Sequence, residues 1–251
     1  MSVASEQASI ALTVDVSGSM GAEDVKPTRL EAAQAAITRF LDRVPDKYRV
    51  GLVTFSGEPV VAAPLTHDRE LVIEGLRYGM TFGRGTAIGD ALARSVELLQ
   101  PLTSDADAPS SGASSTPPES SGPLAAILLL SDGAQTRGFL QPLEGAERAK
   151  SYGIPVYAVA LGTPEGVLER QGFVRPVPPD PVTLRQIAET TGGEFYEIRD
   201  EARLNEVYED LASRLGRTRE WRELSFALLG LAALLALGAG ALALVWNQRL
   251  P

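Results

Sequence analysis

Short branched-apolar runs alternate with stretches of helical periodicity along most of the chain. Residues 9–14 (SIALTV) alternate and are rich in branched side chains, which predicts a strand. Residues 28–44 carry apolar positions at helical spacing. Thr28-Arg29-Leu30-Glu31 at their start matches a capping box, in which Thr and Glu side chains serve free N–H groups of the first turn. Residues 48–55 and 59–63 read as two strands joined by Ser56-Gly57-Glu58, and 68–76 as a short helix. A glycine-rich loop at 79–85 leads into a helix over 87–100 with apolar residues at 88, 92, 96 and 99. The continuous apolar runs at 124–130 and 155–161 have the character of strands covered on both faces. Helices are predicted at 145–152, at 180–191 (Asp180 as N-cap, Pro181 first in the helix) and at 201–215, with a short strand at 194–198.

Strands thus alternate with helices, and two strands are wholly apolar. The pattern is that of an α/β, doubly wound, mostly parallel sheet with helices on both faces, the pair at 48–63 forming an antiparallel edge. One domain over 1–215 accounts for it. Two segments depart from compactness. Residues 103–122 (TSDADAPSSGASSTPPESSG) have almost nothing to bury and read as a disordered surface loop. Residues 163–180 read as a small insertion, with 167–169 and 173–174 able to make a hairpin around 170–172.

Beyond a juxtamembrane stem at 216–225, residues 226–246 (FALLGLAALLALGAGALALVW) carry no charge. Their 21 residues extend about 31 Å as a helix, the thickness of a hydrocarbon core. Trp221 and Trp246 lie near the two ends, where interfacial aromatics sit. Arg214, Arg217, Arg219 and Arg222 precede the run and only Arg249 follows it, in the tail 247–251. Positive-inside reasoning therefore predicts a single-pass protein of the cell membrane with its large domain in the cytoplasm. The N-terminal MSVASEQASI lacks the basic and apolar regions of a signal peptide.

Composition narrows the chemistry. Net charge is −9, the wrong sign for nucleic acid and the right one for a divalent cation or a basic protein surface. With no cysteine there is no disulfide, thiol catalysis or thiolate zinc, and the single histidine, His67, excludes any site needing two imidazoles. His67 falls between a predicted strand and helix and reads as a solvated loop residue.

One constellation stands out. Asp15-Val16-Ser17-Gly18-Ser19 lies at the C-terminal end of the first strand, the edge at which doubly wound sheets bind ligands. A carboxylate and two hydroxyls at alternating positions can face one point, with Gly18 letting the backbone turn between the serines. Thr86 closes the loop Gly83-Arg84-Gly85 before a helix, and Asp132 follows the apolar strand 124–130. All five leave strands or begin helices on one predicted edge. Asp15, Ser17 and Ser19 offer oxygen donors only, a set suited to Mg²⁺ or another hard divalent ion such as Mn²⁺.

In this order, D-x-S-G-S, G-x-G-T-A-I-G and L-L-L-S-D-G resemble the von Willebrand factor A-type (vWA) domain over roughly residues 9–214. The resemblance implies a metal-ion-dependent adhesion site. Ser17, Ser19 and Thr86 would be its hydroxyl ligands, and Asp15 and Asp132 would hold the ion directly or through water. The sixth position is left for an acidic side chain of a partner protein. Val25-Lys26-Pro27-Thr28-Arg29-Leu30, the G-R-G-T-A-I-G-D-A-L stretch, the strand over 156–163 and the C-terminal apolar run are similar to bacterial Bat-type (aerotolerance-type) vWA membrane proteins. That narrower resemblance implies work alongside a MoxR-type AAA+ ATPase. Such proteins usually carry further membrane helices before the vWA domain.

The expected function is a non-enzymatic, membrane-anchored interaction module. The alternatives are an exported envelope receptor and a metal-dependent hydrolase using Asp15 or Asp132. No added base or nucleophile near the motif supports the hydrolase. Gly83 and Gly85 do not make a dinucleotide fingerprint, since Ile88 stands at its third position. Asp90, early in its helix, reads as an acid favoured by the helix dipole rather than as a group supporting the site.

Overall fold

Strand β1 (Ser9–Asp15) is buried along its whole length and lies inside a six-stranded sheet. The computed structural model describes residues 8–104, 125–133, 135–170 and 173–216. On one side β1 pairs in parallel with β2 (Arg49–Phe55), which pairs antiparallel with the edge strand β3 (Pro59–Thr66). On the other side follow β4 (Ala125–Ser131), β5 (Val156–Leu161) and, at the far edge, β8 (Phe195–Ile198), all parallel. The sheet order is β3-β2-β1-β4-β5-β8, so the chain winds outward from the centre in both directions. A separate antiparallel hairpin, β6 (Val167–Arg170) and β7 (Phe173–Pro176), sits within the 163–180 insertion, as the sequence predicts.

Alternation along the strands divides the core in two. Ile10, Leu12 and Val14 of β1, with Leu128 and Leu130 of β4, pack against α1 (Arg29–Arg43), α2 (Arg69–Gly79) and α6 (Glu201–Gly216). Ala11, Ile127, Leu129 and Ala158 face the opposite way, onto α3 (Ile88–Ser104), α4 (Pro142–Ser151) and α5 (Pro181–Thr191). Both faces are therefore covered, which is why β4 and β5 read as unbroken apolar runs. Phe40 of α1 and Tyr208 of α6 meet edge to face at 5.8 Å and lock that layer. Truncating a fully buried Leu128 to Ala would cost about 2–5 kcal/mol. Thr13 of β1 and Ser95 of α3, both buried, satisfy each other, Thr13 Oγ1 meeting Ser95 Oγ at 2.7 Å.

Caps set the helix starts. The Thr28 hydroxyl accepts from Glu31 N at 3.1 Å, and Asp68 and Asp180 cap α2 and α5. Helix α4 begins at Pro142, earlier than the apolar pattern places it: Glu144 accepts from Gln141 N at 2.6 Å, while Gly145, Ala146 and Ala149 give its buried face little periodic signal. Strand β3 runs on to Thr66 and α3 to Ser104, past the predicted ends. The rest of the predicted loop 103–122 lies outside the described residues, as do the stem, the apolar run 226–246 and the tail. Among the described residues no helix is long and apolar enough to cross a membrane.

Candidate metal centre

Parallel strands bring their C-terminal ends to one edge of the sheet, and β1 delivers Asp15 there with no exposed surface. Its Oδ1 accepts from Ser17 N at 2.7 Å and its Oδ2 from Ser131 Oγ at 2.5 Å. Ser131 Oγ in turn accepts from Gly133 N at 3.0 Å, so the ends of β1 and β4 are stitched together through one carboxylate. Ser17 is extended and leads into a 3-10 turn at Gly18–Gly21, which returns Ser19 so that the two hydroxyls stand 2.9 Å apart. Gly18 is not what permits this turn. Its φ is not positive and a Cβ there would meet nothing closer than 3.9 Å, so the 3-10 geometry itself makes the reversal.

The loop before α3 is held against the same turn. Gly83 N donates to Val16 O at 2.9 Å, and Gly83 bridges to Ser17 in parallel. Thr86 is buried. Its N–H donates to Thr136 Oγ1 at 3.1 Å, and its carbonyl accepts from Thr136 N and Arg137 N at 3.0 and 3.1 Å. Asp132, also buried, follows β4, and its carbonyl accepts from Asp180 N at 2.6 Å. Gly133 then takes a φ of 82°, and a Cβ there would strike the Asp180 carbonyl, so this turn does need glycine. All five predicted residues thus stand on the C-terminal edge, each on a segment fixed by backbone hydrogen bonds.

Electrostatics mark the cluster. Burial, with the nearby Asp132 carboxylate as the second cause, pushes the Asp15 carboxyl up to about 7 against its hydrogen bonds from Ser131 and Ser17. Two buried carboxylates this close need compensating positive charge. Part of it is Arg29, fully buried, whose Nη1 donates to Asp132 Oδ2 at 3.4 Å. The same guanidinium forks onto Asp24 at 2.8 and 2.6 Å and donates to Val177 O at 3.0 Å. At Asp24, burial raises the pKa, but the Arg29 fork and the Thr163 N–H outweigh it, and the group stays below the usual carboxylate range.

Arg29 and Asp24 carry no local signal of this role, and Ser131 stands in the L-L-L-S-D-G stretch with no role assigned to it there. Arg29 reads as an ordinary first-turn residue, and only the tertiary fold turns its head inward. Asp90 is a correction: it does more than sit in a favourable dipole. Its two oxygens accept from Phe139 N and Leu140 N, each at 2.8 Å, and pin the loop that follows Asp132. His67 is exposed, with Nδ1 2.9 Å from Asp46 O, as a solvated loop residue should be.

The five predicted residues offer two carboxylates and three hydroxyls. Among the described residues no three His, Cys, Asp or Glu side chains gather around a point, so any ion here would rest on Ser and Thr oxygens as well. Such a set of hard oxygen donors, built around two buried carboxylates, fits a hard divalent cation.

A family model, the von Willebrand factor type A domain, matches residues 10–135. UPF0353 proteins of Mycobacterium marinum and Mycobacterium tuberculosis are 32% identical over 250 residues, covering 98% of this chain and 71% of theirs. Among solved structures, BatB of Bacteroides thetaiotaomicron is similar at a TM-score of 0.62 and 24% identity, over 84% of this chain and 99% of that one. An aerotolerance-related membrane protein of Bacteroides fragilis is similar at 0.60 and 23%, over 84% of this chain and 99% of that one. Proximal thread matrix protein 1 of the mussel byssus, with a zinc-occupied MIDAS motif, is similar at 0.55 and 22%, over 83% of this chain and 48% of that one. With its doubly wound sheet and the matched domain model, the chain belongs to the von Willebrand factor type A domain family.

Proposed function

We propose that this protein is a non-enzymatic interaction module that holds a divalent cation, Mg²⁺ or Mn²⁺, on Asp15, Ser17, Ser19, Thr86 and Asp132 and docks a partner's acidic side chain on it. The observation that carries this reading is the convergence at the C-terminal sheet edge of buried Asp15, Ser17, Thr86 and Asp132 with half-buried Ser19, Asp15 being held by Ser17 N and Ser131 and the Ser17 and Ser19 hydroxyls standing 2.9 Å apart. A bound cation would supply a Lewis-acidic coordination position that a partner carboxylate can fill. The chain's own part is to fix the donors in place. Asp15 is immobilised by Ser17 N and Ser131, Asp132 by Arg29, and Thr86 by Thr136. Neither histidine nor a nucleophile activated by a base joins the cluster among the described residues, which favours binding over hydrolysis.

By the resemblance to Bat-type proteins, the partner is a MoxR-type AAA+ ATPase, and residues 226–246 anchor the chain in the cell membrane with the vWA domain cytoplasmic. The names of the relatives support the membrane setting, since one is an aerotolerance-related membrane protein. A pull-down with the full chain tests the mechanism. Wild type in Mg²⁺ should capture the ATPase, while EDTA, or Asp15→Ala with Ser17→Ala, should abolish capture. Equal capture under all conditions would refute metal-mediated docking. Reporter fusions at the two termini test the orientation, and an exported N-terminal reporter would favour an outward-facing receptor instead.

A further inference from the structure

A groove of about 620 Å³ opens beside the metal loop, between β3, α2 and the loop leading to Thr86. Val16 and Gly83, which adjoin Ser17, are among the residues that line it. Its walls carry Val60, Leu71, Tyr78 and Phe82, which are 59%, 40%, 80% and 57% exposed. Large apolar side chains gathered at this exposure beside a binding centre are what buried hot spots of an interface look like before the partner arrives. Glu58 and Glu74 line the same groove, are exposed, and have no salt bridge among the described residues. On the Thr86 side the charge reverses. Arg84 and Arg137 adjoin Gly57 and Gly85, are exposed, and likewise have no salt bridge among the described residues.

The surface is therefore polarised. Arg84 and Arg137 mark a basic end beside the loop that leads to Thr86, and an apolar, acidic end is the groove. We propose that the groove takes a short extended segment of a partner protein, with a large apolar side chain seated among Val60, Leu71 and Tyr78 and a neighbouring Lys or Arg facing Glu58 and Glu74. The acidic residue of that same segment reaches the metal. This inference rests on the metal-dependent reading above and adds the chemistry of the partner. A second copy of this chain has the wrong sign for the groove, since its net charge is −9.

A displayed dodecapeptide library with one fixed Asp, panned on the full chain in Mg²⁺, tests the proposal. Enriched peptides should carry Phe, Tyr, Trp or Leu beside Lys or Arg at a constant offset from the Asp. The best peptide, labelled and titrated by fluorescence anisotropy, should lose about tenfold or more in affinity with Val60→Ser plus Tyr78→Ser. It should lose as much with Glu58→Lys plus Glu74→Lys. All four positions are exposed, and circular dichroism would verify that the variants fold. Peptides that need Mg²⁺ and Asp15 but show random flanks and ignore the groove substitutions would overturn the groove while leaving metal docking intact. Peptides that need the groove but not Mg²⁺ would uphold the groove and overturn the metal link. A library yielding no enrichment would overturn the groove as a segment-binding site.

Discussion

Arg29 ties Asp132 to Asp24: its Nη1 donates to Asp132 Oδ2 at 3.4 Å while Nε and Nη2 grip both oxygens of Asp24. Asp24 also accepts from Thr163 N at 2.7 Å, and Arg29 Nη2 donates to Val177 O, so both legs of the β6–β7 insertion are fastened to the Asp132 carboxylate through one guanidinium. The space is fully used. Gly162 has a φ of 133° and a Cβ there would fall 2.5 Å from Arg29 Cζ. Arg29→Met would strand two negative groups against a neutral side chain and should destabilise the fold by about 3–5 kcal/mol in urea titration. Arg29→Lys keeps the charge without the fork and should cost less. Mg²⁺ should raise the melting temperature of Arg29→Met more than that of wild type, because a divalent ion restores positive charge beside Asp132. Equal shifts would mean that Arg29 and the cation act independently.

The raised Asp15 carboxyl predicts a pH dependence with a definite sign. In metal-free protein the native state holds this proton more tightly than the unfolded chain does. The resulting stability is complete below 3.8 and is lost as pH rises toward about 7. Asp24 works the other way, contributing stability that is lost only as pH falls below the ordinary carboxylate range. Between pH 5 and 7 in EDTA, stability should therefore fall as pH rises, by at most about 1.4 kcal/mol per pH unit from this group. Mg²⁺ should flatten or invert the slope, since it competes with the proton for Asp15. Asp15→Asn should remove the slope in EDTA. Urea titrations at several pH values, with and without metal, provide the measurement.

Thr86 separates its backbone role from its side-chain role. Its N–H and carbonyl hold the loop at Thr136 and Arg137, and Thr86→Val preserves both while deleting the hydroxyl. Wild type at a hundred times its dissociation constant for Mg²⁺ should gain about 2.7 kcal/mol. Thr86→Val should keep most of its metal-free stability and lose most of that gain in a thermal-shift titration. Full retention of the gain would remove Thr86 from the donor set.

The sheet was legible because its information is local. The apolar runs of β4 and β5, the Thr28 and Asp180 caps and the hairpin 167–176 each announce themselves within a few residues. That Asp15, Ser17, Ser19 and Asp132 share one edge was legible for a related reason: parallel strands send their C-terminal ends to the same side, so position in the chain fixes position in space. What escaped depends on side chains crossing between distant elements. Arg29 lies 103 residues from Asp132, and Asp90 lies 49 from Phe139. Neither separation leaves a periodic trace. Gly18 misled in the opposite way, because glycine is often required in a tight turn but here the backbone adopts angles open to any residue.

Asp90 stands in the first turn of α3, close behind Thr86, and spends both carboxylate oxygens on consecutive amides, Phe139 and Leu140. Gln135 reinforces the loop, accepting from Gly89 N at 3.0 Å and donating to Leu140 O at 2.9 Å. Phe139 itself is 96% exposed, so the loop's order comes from these polar ties and not from burying its aromatic ring. Asp90→Ala would remove two charge-assisted bonds, and Asp90→Asn would set an NH₂ group against one of the two N–H donors. Either substitution should accelerate hydrogen exchange at the Phe139 and Leu140 amides, with Asp90→Ala costing about 1–3 kcal/mol of stability. Mg²⁺ binding should weaken only modestly, because Asp132 is fixed separately by Arg29 and by the Asp180 N–H at its carbonyl. If partner capture fails in Asp90→Ala while the Mg²⁺ thermal shift persists, the ordered Phe139 loop belongs to the docking surface. If both persist, the loop serves only the fold.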